Sequence, residues 1–110
     1  MSILICIGYN IFRMATIEGA RAYDMDRNLG SLEKRKQADI VILDTSRVPT
    51  PLIPESVVGH LINTFSGRDV RDVVVKGKVV VKDRLLTQVS DSHVAEISRK
   101  SAEGLWSRLS

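Results

Sequence analysis

The residue types that carry chemistry are sparse in this chain. There are two histidines, His60 and His93, one cysteine, Cys6, and scattered carboxylates. A zinc or iron site needs several His, Cys or carboxylate ligands converging on one point. The histidines stand far apart, with no HxH, HExxH or CxxC around them. His60 is expected beside the apolar stripe of a short helix, and His93 in the first turn of the last one. Asp91, Ser92 and His93 carry the letters of a hydrolase triad, but adjacent residues point in different directions. Asp91 or Ser92 reads instead as a helix N-cap. Gly67 and Gly77 are isolated, so no phosphate-binding glycine loop is present. Asp69, Asp72 and Asp83 alternate with Arg68, Arg71 and Arg84, which reads as charge guarding strand ends. The expectation is that this chain holds no catalytic residue, no cofactor-binding residue and no metal ligand.

The 110 residues imply one domain, large enough for one core. The net charge of +3 is mild, and Lys34-Arg35-Lys36 is its densest run. No aromatic residue interleaves it, so a solvated loop is the reading and nucleic-acid binding is not expected. Cys6 lies in an apolar run, Ile3–Ile7, and reads as a small buried hydrophobe. That run is too short to span a bilayer and lacks the positive start of a secretory signal. A cytoplasmic location without membrane attachment follows as the expectation.

The elements expected from patterning are these. Residues 3–7 are a strand or the first turn of a buried helix. Residues 11–23 are a helix with Ile11, Phe12, Ala15, Gly19 and Ala22 on one face. Asn28-Leu29-Gly30 is a turn. Ala38 to Asp44 is a buried strand. Pro54 opens a helix over 54–65 after a proline-marked connector. Strands over 70–76 and 78–82 flank Gly77, which needs a positive φ. A helix over 91–109 carries Val94, Ile97, Ala102, Leu105 and Leu109 on one face. The valine runs on both sides of Gly77, and Ile40–Leu43, read as strands buried on both faces. Helices 54–65 and 91–109 are expected to cover one face of a three-stranded sheet. The fold class is α+β.

Three blocks occur in a characteristic order: MATIEGARA (Met14–Ala22), LGSLEKRKQADIVILD (Leu29–Asp44) and TPLIPESVVGHLINTFSGRDVRDVVVKGKVVVKD (Thr50–Asp83). Together they resemble the C-terminal end of the metal-dependent amidohydrolases, in the cytosine-deaminase-like, chlorohydrolase and methylthioadenosine/S-adenosylhomocysteine deaminase branch. The resemblance implies a hydrolase acting through zinc or iron on a heterocycle. It also implies a (β/α)8 barrel beside a small β-sandwich built from both ends of the chain. Residues 1–28 would be the last barrel helix with a divergent start, 29–87 the sandwich strands and connecting helix, and 88–110 a C-terminal helix. The family's ligands are an HxH, two further histidines, a glutamate and an aspartate on barrel strands, and none maps onto this sequence. Arg35 stands where the family's GxKA turn has glycine. The resemblance therefore implies a C-terminal fragment of such an enzyme, not catalytic alone, with the metal held by the missing barrel. Its partner is expected to be a complementing barrel chain or a second copy in a homodimer. The rival readings are a stand-alone, self-associating interaction module and a weak nucleic-acid binder.

Overall fold

Val75 and Lys78 are joined by Lys76 and Gly77, at φ 51° and 76°. Two central residues at positive φ make the tight turn whose twist matches paired strands. This turn links β2 (Val70–Val75) to β3 (Lys78–Lys82) in the computed structural model, which describes residues 2–109, with side chains from Gly8 onward. Asp83 and Arg84, at φ 47° and 67°, make a second such turn, and it adds a fourth strand, β4 (Leu85–Leu86), that patterning did not predict. β1 (Ile40–Leu43) pairs antiparallel with β2, giving a sheet of order β1-β2-β3-β4. Irregularities fall between Ile42 and Leu43 and between Val73 and Val74, one on each side of the segment around Asp72.

Residues 3–7 lie in a helix, α1 (Ser2–Met14), and the side chain of Cys6 lies outside the described residues. The helix expected over 11–23 is broken. α1 ends at Met14 and α2 (Ile17–Ala22) starts after Thr16, whose hydroxyl donates to the Phe12 carbonyl at 2.8 Å. The chain doubles back tightly here, since a Cβ on Gly19 would lie 2.8 Å from the Met14 carbonyl oxygen. Glu18 ties α2 to Arg13 of α1 and also pairs with Arg21 on its own helix. α3 (Pro54–Asn63) has proline at its first position, and the Ser56 hydroxyl accepts from the Ile53 amide at 3.2 Å. It packs on α1, where Gly8 lets Val58 and Ile62 approach.

α4 (Asp91–Trp106) is capped by Ser90 rather than by Asp91 or Ser92: the Ser90 hydroxyl accepts from the His93 amide at 3.3 Å. The expected cover of the sheet does not form. Every residue of α4 is exposed, and α3 packs on α1 instead. The valines expected to be buried on both faces are partly exposed, Val41 by 57% and Val79 by 46%. Among the described residues no apolar side chain is buried, and Asp72 alone is buried.

Size makes the same point. A folded chain of 12.2 kDa exposes about 6,000 Å², whereas this one exposes 9098 Å². Its radius of gyration is 18.0 Å, against about 13 Å for a compact domain of this length. The secondary structure is complete, but the core is not closed.

Candidate functional site

His60 and Ser92 have local structural roles. His60, on α3, sits between two threonines: Nε2 is 3.0 Å from Thr50 Oγ1 and Nδ1 is 3.2 Å from Thr64 Oγ1. His93 is exposed in the first turn of α4. Ser92 Oγ meets Ser90 Oγ at 3.2 Å, so Asp91, Ser92 and His93 belong to a helix start and not to a triad.

The basic run is only partly a solvated loop. Lys36 has a side chain 12% exposed; it donates to Ser31 Oγ at 2.6 Å and pairs with Glu33 at 3.3 Å. Arg35 occupies the left-handed region at φ 75°. A side chain there costs about 1–2 kcal/mol relative to glycine, partly offset because glycine loses more entropy on folding. Arg35→Gly is therefore expected to stabilise the protein slightly, by about 0.5–1 kcal/mol, and so to raise the melting temperature a little. A fall in thermal denaturation would show that the Arg35 side chain is itself stabilising.

The carboxylates are held by the fold. Asp44 lies well below the usual carboxylate range because Ser46, through its hydroxyl and amide, and then Arg84 favour its ionised form. The Ser46 amide donates at 2.9 Å and Arg84 pairs at 2.6 Å. Asp69 is lowered by the amide and hydroxyl of Ser66, with Arg47 adding attraction. Asp72 is 3% exposed and accepts from the Asp83 amide at 2.8 Å and from Arg71 Nε at 2.9 Å, with Lys82 Nζ at 3.7 Å. Its carboxyl is lowered, first by the Asp83 amide. Asp72 was read as a charge guarding a strand end; it fastens the β3–β4 turn to β2. Asp72, Asp83, Arg71 and Lys82 do meet in space, as a structural clasp.

Among the described residues no group of three or more His, Cys, Asp or Glu could hold a metal ion. Both nitrogens of His60 face threonine hydroxyls, so the described residues do not gather a zinc site around it. No helix among the described residues is long and apolar enough to cross a membrane. Two concave features stand out among the described residues. A small pocket of about 220 Å³ is lined by Arg47, Thr64, Ser66, Arg68 and Asp69. A much larger open groove, about 1020 Å³, runs between α2, the following loop and β1, with Phe12, Ile17, Met25, Leu29, Val41 and Leu43 among its walls. Patterning did not foresee the groove, because it is formed by the bend between α1 and α2.

Residues 9–80 match the model of the amidohydrolase family. The chain belongs to that family. It is 36% identical over 94 residues to a 5-methylthioadenosine/S-adenosylhomocysteine deaminase of Syntrophus aciditrophicus, covering 84% of this chain and 21% of that protein. It is 40% identical over 77 residues to an S-triazine hydrolase of Gordonia rubripertincta, covering 70% of this chain and 16% of the relative. The structure superposes on a zinc-bound adenosine deaminase from Xanthomonas campestris with a TM-score of 0.81 and 27% identity, covering 91% of this chain and 23% of that one. The chain thus spans about a fifth of the length of the deaminases it matches. The family, its deaminase branch and the α+β fold read from the three sequence blocks agree with these matches.

Proposed function

We propose that this chain is the non-catalytic C-terminal sector of a metal-dependent amidohydrolase that removes an amino or chloro substituent from a nitrogen heterocycle. The observation that carries this reading is the unclosed core: an apolar groove of about 1020 Å³ on a chain with no buried apolar residue among those described. Covering apolar surface is worth about 25 cal/mol per Å², so a groove of this size favours a large apolar partner. A barrel that carries the metal and the acid–base residues has the chemistry this chain lacks. The sector then acts by closing the shared core and so fixing the barrel's shape, while substrate binding and proton transfer belong to the barrel. A cytoplasmic location goes with this reading, since the lone Cys6 offers no internal disulfide.

The test is reconstitution. The purified chain is expected to hold no stoichiometric zinc or iron and to leave 5′-methylthioadenosine and adenosine unchanged. Mixing or fusing it with the barrel portion of a related deaminase that lacks its own C-terminal sector should restore turnover, read as loss of adenine absorbance. One metal ion per isolated chain, removed by His60→Ala, would sink the proposal, as would a barrel portion that binds the chain without gaining stability or activity.

A further inference from the structure

The outer edge of β1 is open. β1 is the terminal strand of the sheet and pairs only with β2 among the described elements. Among the described residues no backbone hydrogen bond outside the sheet involves Ile40, Val41, Ile42 or Leu43. Edge strands of stable monomers are usually guarded by charge, proline or a covering element. β1 has none of these within its span of IVIL. The carboxylates at its ends are already engaged, Asp39 by the Lys76 amide at 2.7 Å and Asp44 by Ser46 and Arg84. Val41 and Ile42, in the middle of the edge, are 57% and 37% exposed.

We propose that, in the absence of the rest of the enzyme, two copies of this chain join by antiparallel pairing of their β1 edges. The proposal takes from the functional reading only that the chain is without its barrel, and goes beyond it in naming the partner and the edge. A two-fold axis through Val41 sets the two Val41 side chains opposite each other and Ile40 of one copy opposite Ile42 of the other, since only residues on the same face can stand opposite. Such aliphatic cross-strand pairs are favourable, and a two-fold interface uses the same patch on both copies. The pairing would join two four-stranded sheets into one of eight. Area supports a second copy as the occupant. A stable interface needs about 800 Å² from each partner, and this chain exposes about 3,000 Å² more than a compact chain of its mass. Val41 and Leu43 also line the apolar groove, so the second copy approaches its rim.

Sedimentation equilibrium of the 110-residue chain across micromolar concentrations tests this. A reversible monomer–dimer equilibrium is expected. Val41→Lys should weaken it at least about tenfold, as charge on an edge strand opposes pairing. Val79→Lys, an exposed valine on β3 away from that edge, should leave it unchanged. Amide hydrogen exchange at Val41 and Ile42 should slow as the dimer fills. A chain that stays monomeric throughout, or one that Val79→Lys dissociates as readily as Val41→Lys, overturns the proposal. A monomeric chain that still restores activity to the barrel portion would overturn the dimer and leave the functional reading standing.

Discussion

Gly30→Ala is expected to destabilise the N-terminal half of this protein severely, and far more than Gly77→Ala destabilises the hairpin. Both glycines lie at positive φ, 89° and 76°. Strained backbone of this kind costs about 1–3 kcal/mol, and that applies to both. Surroundings separate them. A Cβ on Gly77 meets nothing within 4 Å, whereas one on Gly30 would lie 2.8 Å from Ile17 Cα, 2.9 Å from Ala20 Cβ and 3.1 Å from the Thr16 carbonyl oxygen. Two of these three atoms are backbone and cannot swing aside. Overpacking of this kind adds a further cost of about 1–3 kcal/mol. The sum is a large share of the 5–15 kcal/mol that typically holds a domain together. Urea denaturation should show a clearly lower midpoint for Gly30→Ala than for Gly77→Ala. Equal midpoints would mean that α2 does not press on Gly30.

The contrast shows what could be read from the sequence. Gly77 was legible because it sits between two valine runs, where a two-residue turn must fall. Gly30 was legible as a turn, but its contact with α2 was not, since that contact depends on how the chain folds back at Thr16. The break between α1 and α2 escaped for the same reason: residues 11–23 keep a helical pattern while Gly19 and Thr16 serve a close crossing. β4 was missed because Leu85-Leu86 is short and Asp83-Arg84 lacks the glycine that usually marks a type I′ turn. The valine runs were read as buried on both faces, and that reading describes a sheet meant to be covered. Among the described residues that cover is missing, since every residue of α4 is exposed and α3 packs on α1. The lack of a motif around His60 and His93 was readable directly, because ligand spacing is a property of sequence. The bond from Asp83 to Asp72 was not, because it spans two strands.

Asp72→Ala is the second large effect, and acid tests its cause. The variant leaves the Asp83 amide without its acceptor and Arg71 and Lys82 without their counter-charge. A donor that loses its partner in a part-buried bond costs more than the bond itself contributed. A clear fall in melting temperature is expected, with the β3–β4 turn released first. Asp72→Asn keeps an oxygen for the Asp83 amide but loses the charge, so its loss should be smaller. Protonation should imitate that substitution. The Asp72 carboxyl lies below its ordinary value in the folded protein, chiefly because the Asp83 amide favours the anion. A depressed carboxylate contributes its stability in full above the unfolded value, about 3.9. It loses that contribution as the pH falls through the depressed folded value. Asp44 and Asp69 are depressed too, so the native protein and its variants all weaken in acid. Their share is common to both proteins and cancels in the difference between native Asp72 and Asp72→Asn. That difference should be constant near neutral pH and should shrink as the pH drops below about 4. Thermal melts of the two proteins over a pH series measure it directly. A gap that persists unchanged into strong acid would mean that Asp72 is held by its shape and hydrogen bonds alone, with no contribution from its charge.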